Sequence, residues 1–202
     1  SYAARFELRQ GETASPTLKS RAEVTTAQPD AGVIERWYGF SIYLPTDAWA
    51  PDTLAEILTQ WHQADASAFT GSPPLSVGAR NGKWEVALFG TPLNSPTLSA
   101  ASYATGAWTD WVVHVRWSAD STGFFELWRN NQPVMFKPSA TSPEIHRVNG
   151  ATSYDNLGVH TKFGIYKWGW NGLPYNANNK RVIFYDDLRI ADQTAGYAAV
   201  RP

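Results

Sequence analysis

A glutamine and a histidine lie two residues apart in the run ILTQWHQAD, residues 57 to 65. Successive side chains of a β-strand point to opposite faces, so we expect Gln60 and His62 to share a face with Leu58, while Trp61 points the other way. An unpaired buried polar group costs about 1 to 3 kcal/mol, so this face is not expected to lie in the core. Because histidine is a base near neutral pH, the pair predicts a ligand cleft; an ordinary solvated strand face is the alternative.

Two further strings place functional side chains at alternate positions. Arg21 and Glu23 share a strand face in SRAEV, and Lys162, Gly164 and Tyr166 share one in KFGIY. A glycine within a strand leaves room for a ligand to approach the backbone, and a phenol can donate a proton. The alternatives are a surface ion pair worth less than about 1 kcal/mol in the first string and a half-buried strand tyrosine in the second.

The elements that would position these residues are strands. Alternating apolar residues and turn signals recur along the chain, and the Asn-Gly pair at 81 and 82 predicts a tight hairpin turn. One helical turn fits the segment 46–57, and a long loop is predicted for 138–161. Strands are predicted within 33–45, 74–90, 110–136, 162–170 and 181–192. The absence of a βαβ rhythm predicts an all-β, single-domain β-jelly roll over residues 1–202, a sandwich of two antiparallel sheets.

The composition excludes several classes of protein. The 202 residues include 17 Lys and Arg and 18 Asp and Glu, so the net charge of -1 lacks the basic field of a nucleic-acid-binding protein. There is no cysteine for disulfides or thiol chemistry, and no run of about 20 apolar residues that could span a membrane. The first residues, SYAARFELRQ, lack the apolar core of a secretion signal. We expect a monomer that is secreted or periplasmic, with its signal segment absent from this chain.

The order Arg-x-Glu, Gln-x-His and Lys-x-Gly-x-Tyr resembles the jelly-roll polysaccharide lyases, which include alginate lyases, heparin lyase and glucuronan lyase. The strings RFELRQGE, RAEV, WYGFSIYLP, TQWHQ, WTDWVVHVRWS and YDDLRI are most similar to the glucuronan lyase group, so the resemblance covers nearly the whole chain. It implies a concanavalin A-like sandwich and an anionic polysaccharide as substrate. Alginate lyases continue the last motif as Tyr-Asn-Gln, whereas Lys167 and Trp168 follow Tyr166 here, which counts against alginate.

The resemblance implies β-elimination on a β-1,4-linked polyuronate, with glucuronan as the first candidate. Such an enzyme removes the proton on carbon 5 of a uronate and expels the oxygen on carbon 4, after the neighbouring carboxylate has been neutralised. Gln60 and Arg21 suit the neutralising role, His62 suits the base and Tyr166 the acid. In glucuronate the proton and the leaving oxygen lie on the same side, so Tyr166 acting as both base and acid, with His62 polarising, is the alternative. The chemistry requires no cofactor, and Lys162 is expected either to lower the pKa of the Tyr166 phenol or to hold a carboxylate.

Other residues are expected to contact the substrate. Glu23 and His160 lie in or next to the motifs, and Trp168 follows the last of them as a candidate platform for a sugar ring. Core packing is expected to account for more than half of the ten tryptophans and nine tyrosines. His114 and Arg116 alternate with valine and tryptophan in VVHVRW, so they face either the cleft or, alternatively, a structural or solvated position.

A metal position is implied by the string FYDDLRI. Asp186 and Asp187 resemble the position at which relatives bind a structural calcium ion through carboxylate and carbonyl oxygens, with Asp187 as the predicted ligand. Such an ion would support stability more than chemistry. The alternative is a charged pair that ends a strand.

Two other functions share this fold. A non-catalytic carbohydrate-binding module needs aromatic platforms but does not need Gln60, His62 and Tyr166 together. A glycoside hydrolase needs two carboxylates about 5 to 10 Å apart across the cleft, and no strand here carries such a pair.

The charge near the motifs bears on the choice of substrate. A heparin-type polymer carries several sulfates per disaccharide and needs a cleft rich in cations. The basic residues near the motifs are only Arg21, Arg116, Lys162 and Lys167. We therefore expect polyglucuronate to be cleaved faster than heparin or alginate.

Overall fold

The computed structural model describes residues 2–11, 20–64, 71–89, 101–170 and 179–202. Two antiparallel β-sheets pack face to face, and alternating apolar side chains from the facing surfaces fill the space between them. The predicted all-β jelly-roll sandwich is confirmed.

The larger sheet has seven strands. They are β1 (Ala4–Arg9), β3 (Ile34–Tyr43), β7 (Trp108–Trp117), β8 (Phe124–Arg129), β9 (Gln132–Pro133), β10 (Val148–Asn149) and β12 (Lys180–Asp192). The order across the sheet is β1-β12-β3-β7-β8-β10, with β9 paired to β8. The last strand of the chain therefore lies between its first and third strands.

The smaller sheet carries the sequence motifs. Its strands are β2 (Arg21–Thr25), β4 (Glu56–Gln63), β5 (Leu75–Arg80), β6 (Lys83–Leu88) and β11 (Val159–Tyr166), in the order β2-β11-β4-β5-β6. A 3₁₀ helix, Trp168–Trp170, follows β11, and the helix α1 (Tyr197–Val200) follows β12. Neither helix has the length or the apolar character needed to cross a membrane, and the described part of the chain contains no other helix.

Tryptophan dominates the core. Trp61 lies at its centre, with its ring centroid 5.2 Å from that of Tyr38 and 6.3 Å from that of Trp117. The prediction that core packing accounts for more than half of the tryptophans and tyrosines holds for tryptophan, of which six of ten are buried, but not for tyrosine, of which the described residues bury only Tyr38 and Tyr185. The six buried tryptophans are Trp49, Trp61, Trp84, Trp111, Trp117 and Trp170.

The predicted turns and strands are present, except that the strand predicted over 162–170 ends at Tyr166 and Trp168–Trp170 form a 3₁₀ helix. In the hairpin of β5 and β6, Asn81 and Gly82 have φ values of 51° and 75°, as a tight two-residue turn requires. The ends of two predicted strand segments, Asp65 and Gly90, lie outside the described residues. The predicted long loop over 138–161 is interrupted by β10 and ends where β11 begins at Val159.

The helical turn expected in the segment 46–57 is wrong. All of these residues are described and none is helical. The backbone is held in an irregular path because Val182 donates a hydrogen bond to the Ala48 carbonyl and Asn81 donates one to the Asp52 carbonyl. Burial of the Trp49 side chain in the core fixes the same segment.

A β-bulge changes the predicted faces of β4. The pairing of β4 with β5 shifts between Ile57 and Thr59, so Leu58 and Thr59 are both fully buried. Ile57 instead faces the outer surface beside Gly78 of β5. The prediction that Leu58 shares a face with Gln60 is therefore wrong, because the extra residue reverses the alternation at that point.

Candidate functional site

The outer face of the smaller sheet brings the motif residues together, and we call it the cleft face. Strand β11 lies between β2 and β4, and its register pairs Tyr166 with Arg21, Lys162 with Gln60, and His160 with His62. The alternating positions Phe163 and Ile165 are buried in the core, so Lys162 and Tyr166 point outward. The cleft face thus carries residues from three of the predicted motifs: Arg21, Glu23, Gln60, His62, His160, Lys162 and Tyr166.

Tyr166 lies at one end of this row. The guanidinium carbon of Arg21 is 4.8 Å from the centroid of its ring. Trp168, which is 40% exposed, has its ring centroid 5.4 Å from that of Tyr166. The phenol is therefore flanked by a cation and by an aromatic surface of the kind on which sugar rings pack.

Glu23 holds the side chain of Gln60. The Gln60 Nε2 group donates a hydrogen bond to Glu23 Oε1, and an Arg21 nitrogen lies 4.0 Å from Glu23 Oε2. Burial raises the pKa of Glu23, while the Gln60 hydrogen bond and the charges of Lys162 and Arg21 act in the opposite direction. Among the described residues, Glu23 Oε2 and Gln60 Oε1 are buried without a hydrogen-bond partner, so two polar atoms at the centre of the row are unsatisfied.

His62 lies at the other end of the row with a defined tautomer. Its Nδ1 is 3.1 Å from the carbonyl oxygen of Gln63. Because a carbonyl only accepts, Nδ1 carries the hydrogen and Nε2 keeps its lone pair. Burial lowers the pKa of His62, and the positive charges of Lys162, Arg21 and His160 lower it further. The side chain is therefore a neutral base at neutral pH.

Two more basic side chains lie beside His62. Burial lowers the pKa of Lys162, and Glu23 partly offsets this effect. The Nδ1 atom of His160 lies 3.1 Å from the Thr26 carbonyl oxygen, to which it donates a hydrogen bond.

Gly164 serves the packing of β2 against β11. A Cβ atom at this position would lie 2.1 Å from the carbonyl oxygen of Ala22, and the φ of Gly164 is 138°. The sequence analysis predicted that the missing side chain of Gly164 leaves room for a ligand to approach the backbone. The structure corrects it, because the space is occupied by the neighbouring strand.

His114 and Arg116 do not lie on the cleft face. Both are on β7 of the larger sheet, whose outer surface is on the opposite side of the sandwich. His114 is buried, with its two ring nitrogens each 2.7 Å from a carboxylate oxygen, of Glu35 and Glu126, and it stacks on Trp37. The alternation of side chains correctly predicted that His114 points away from the core. The strand order, however, places it on the outer face of the larger sheet.

Asp187 lies at a second bulge, between Asp186 and Arg189 of β12, with a φ of 53°. Its carboxylate accepts a 2.8 Å hydrogen bond from Arg189, and its N–H binds the carboxylate of Asp186. The described residues contain no group of three or more metal-ligating side chains, here or elsewhere. A calcium ion at Asp187 stays a prediction.

Four charged residues form ion pairs beneath the cleft face, and we call them the buried network: Asp52, Glu56, Lys167 and Arg181. The sequence analysis missed three of them and counted Lys167 with the cations near the motifs. The Lys167 ammonium is 3.1 Å from Glu56 and 3.2 Å from Asp52, and the Arg181 guanidinium is 2.9 Å from Glu56 and 3.2 Å from Asp52. Both cations are fully buried. The available signal was a basic residue directly beside an apolar run, as in YKWGW and KRVIFY.

The half of the cleft face over β5 and β6 has a different character. It contains a cavity of about 170 Å³ lined mainly by small and apolar residues, which we call the β5–β6 cavity. Those that define it are Ile57, Ser76, Gly78, Ala87, Phe89 and Trp168. Trp168 therefore borders both Tyr166 and the cavity.

Comparison with known proteins decides the family. The family described as "Polysaccharide lyase" matches residues 1–189. The chain belongs to the polysaccharide lyase family. Membership favours an enzyme over a carbohydrate-binding module, and it makes Trp168 and the row from Arg21 to His62 the candidate active site of a lyase.

Solved structures share the fold of this lyase. An endo-β-1,4-glucuronan lyase from the fungus Trichoderma reesei superposes with a TM-score of 0.74 and 20% identity, covering 99% of this chain and 84% of that one. A family 131 glycoside hydrolase β-glucanase domain from Podospora anserina gives 0.62 and 12%, covering 96% and 73%. An alginate lyase from Pseudomonas aeruginosa gives 0.57 and 12%, covering 94% and 82%. No curated protein matches the chain.

Proposed function

We propose that this lyase cleaves a β-1,4-linked polyuronate, with glucuronan as the first candidate, by β-elimination that leaves an unsaturated uronate end. The observation that carries the proposal is a neutral His62, with Nε2 open, on the same face as Tyr166 and two cations. A base, a phenol and a carboxylate-binding charge are the three groups that the elimination requires.

The first step is neutralisation of the carboxylate next to carbon 5. Arg21 has an exposed side chain and Lys162 points outward from β11 four residues before Tyr166, so both offer positive charge to a bound uronate. The negative charge that develops after proton removal is stabilised by the same groups, an electrostatic role that is strongest in a site shielded from water. Gln60, fixed by Glu23, lies between them and the base.

Proton transfer has two variants. In one, His62 Nε2 removes the proton from carbon 5 and Tyr166 protonates the oxygen on carbon 4. In the other, Tyr166 performs both steps on the same side of a glucuronate and His62 polarises the carboxyl group. Both variants require the Tyr166 hydroxyl, whereas only the first makes the loss of His62 as damaging as the loss of Tyr166.

The choice of substrate follows from charge. Of the four basic residues near the motifs, Lys167 is paired in the buried network and Arg116 lies on the other sheet. Arg21 and Lys162 remain on the cleft face near the motifs, and Lys83 of β6 adds an exposed cation on the same face next to the Arg80–Glu85 ion pair. So few cations suit a polymer with one carboxylate per sugar better than a sulfated one.

The test is ultraviolet absorbance of the unsaturated uronate, measured with polyglucuronate, alginate and heparin at equal uronate concentration. We expect the fastest release from polyglucuronate. Faster release from heparin would contradict the substrate assignment, and binding without unsaturated product would indicate a carbohydrate-binding module. Because the substrate is an extracellular polymer, we also propose that the lyase acts as a secreted or periplasmic monomer.

A further inference from the structure

Two like charges face each other at the hairpin of β5 and β6. Arg80 of β5 pairs in register with Lys83 of β6, on either side of the tight two-residue turn. Their neighbours Ala79 and Trp84 are buried in the core, so Arg80 and Lys83 both point outward onto the cleft face. Like charges directly opposite each other on adjacent strands are destabilising, so this pair favours a compensating anion.

The hairpin supplies one carboxylate for these two cations. Glu85 Oε1 lies 2.8 Å from Arg80 Nε, which balances one of the charges. Lys83 is exposed, and among the described residues it has no ion-pair partner. The segment 90–100, which follows β6 in the sequence, contains no Asp or Glu. The hairpin therefore presents one uncompensated positive charge on the cleft face.

The β5–β6 cavity joins this hairpin to the proposed reaction centre. Arg80 and Glu85 contribute to its wall from β5 and β6, and Trp168 contributes from the 3₁₀ helix that follows β11. Trp168 also lies beside Tyr166, with 5.4 Å between the two ring centroids. A saccharide chain that leaves Tyr166 over Trp168 and the cavity therefore reaches the hairpin.

The strand order sets the separation between the two places. The register puts Glu85 of β6 in the same row as Tyr166 of β11, with β4 and β5 between them. Adjacent strands are about 4.8 Å apart, so the hairpin lies about 14 Å from Tyr166 across the sheet. The sugar units of a β-1,4-linked chain repeat at nearly the strand spacing. A chain that crosses the strands thus places a later unit, not the nearest neighbour of the cleaved one, beside Lys83.

We propose that Arg80 and Lys83 form a distal subsite for the carboxylate of a uronate about three units from the cleaved one. The inference rests on the proposed elimination at Tyr166. It makes the preferred substrate a polymer with carboxylates on units away from the cleaved bond as well as at it. Glu85 holds Arg80 in place, and Lys83 provides the charge that the bound carboxylate balances.

Substitution of Lys83 tests the subsite. On polyglucuronate, Lys83→Met should raise KM about 2- to 5-fold and leave kcat unchanged, as expected for an exposed ion pair made equally in the bound substrate and in the transition state. Lys83→Arg keeps the charge and should keep the original KM. Lys137→Met removes an exposed lysine outside both sheets and should also leave KM unchanged. An unchanged KM in Lys83→Met would overturn the proposal.

A partially carboxyl-reduced polyglucuronate shows whether Lys83 binds a carboxylate. Reduction converts a chosen fraction of the glucuronate units to glucose and keeps the linkage, so the unit beside the hairpin is uncharged in more of the bound chains. With KM expressed per remaining uronate, the effect of Lys83→Met should shrink as the reduced fraction rises. An effect of equal size on the native and the strongly reduced polymer would overturn the subsite, because Lys83 would then not act through a carboxylate.

The same measurements separate the subsite from the proposed function. If the unsubstituted enzyme released no unsaturated product from polyglucuronate, the proposed function would fail, and the subsite with it. If product formed but Lys83→Met changed nothing, the elimination would stand and only the subsite would be lost.

Discussion

Tyr166 and Lys167 are consecutive residues, yet they belong to two ionic regions of opposite construction. The cleft face around Tyr166 has more cations than anions, its closest ion pair is 4.0 Å, and two of its buried oxygen atoms lack partners. The buried network around Lys167 has two cations and two carboxylates, joined at 2.9 to 3.2 Å. Charges that satisfy one another fix the backbone, whereas incompletely paired charges are available to a ligand.

The two carboxylates of the buried network shift in opposite directions. Burial raises the pKa of Glu56 in spite of the charges of Lys167 and Arg181, whereas at Asp52 the Leu54 N–H and the same two cations outweigh burial and lower the pKa. On the cleft face burial prevails, raising the pKa of Glu23 and lowering those of Lys162 and His62. The pKa values of Glu23 and Lys162 are therefore shifted toward neutral pH, whereas that of His62 is shifted further below it, which keeps the imidazole neutral.

The largest expected effect is the loss of turnover in Tyr166→Phe. A hydroxyl used in proton transfer contributes mainly in the transition state, so kcat should fall about 10²- to 10⁴-fold while KM changes little. Steady-state kinetics on polyglucuronate measures both. Tyr43→Phe, on a strand of the other sheet, is the matched control and should keep full activity. An active Tyr166→Phe enzyme would remove the cleft face from the mechanism.

A pair of lysine substitutions separates the two regions by stability. Lys167→Met leaves buried carboxylates short of a cation and should lower the free energy of unfolding by about 3 to 5 kcal/mol. Lys162→Met removes a charge that no ion pair holds within 4 Å among the described residues, so its cost should stay below about 1 kcal/mol. Urea unfolding gives both values, and kinetics should show a raised KM only for Lys162→Met. Equal destabilisation by Lys167→Met and Lys162→Met would contradict the distinction between a tightly paired buried network and an incompletely paired cleft face.

The pH dependence of activity should report on His62. Its pKa is lowered by burial first and then by nearby cations, so activity should persist below the usual histidine range and fall when the imidazole is protonated. In Lys162→Met the acid limit should move to higher pH, because one of these cations is gone. The sign for stability is the same: below the unfolded-state pKa the unfolded chain binds more protons than the native one, so His62 destabilises the fold as pH falls. If the acid limit of activity is the same in Lys162→Met as in the unchanged enzyme, His62 is not the titrating base.

The smallest effect is expected from Glu23→Gln. The new amide oxygen can still accept the hydrogen bond from Gln60, but the negative charge that raises the pKa of Lys162 is lost. The alkaline limit of activity should therefore move to lower pH, with little change in kcat at neutral pH. Glu85→Gln, which only breaks the ion pair with Arg80, should leave that limit where it is. A large loss of kcat in Glu23→Gln would mean that the carboxylate itself takes part in the reaction.

The alternation of side chains predicted which motif residues point outward, and it did so because strands have a period of two wherever they are regular. It failed at Leu58, where an extra residue in β4 reverses the period, and a bulge leaves no local sign in the sequence. The outward direction of His114 was predicted correctly, but its position on the cleft face was not, because strand order depends on pairings between residues distant in sequence. Lys167 was counted with the cations near the motifs. Its buried partner, Glu56, lies 111 residues away in the chain, so the ion pair could not be recognised in the sequence.

The position of β12 between β1 and β3 governs how this sandwich can assemble during synthesis. The first strand of the chain has no neighbour in its sheet until the last strand has been made, and Arg181 joins the buried network at the same moment. Pairings of such long sequence separation close slowly, and the unpaired edges of β1 and β3 stay open to other chains in the meantime. Folding on the ribosome must therefore end with insertion of β12, and a truncation that removes it leaves two exposed edges and an unbalanced Glu56.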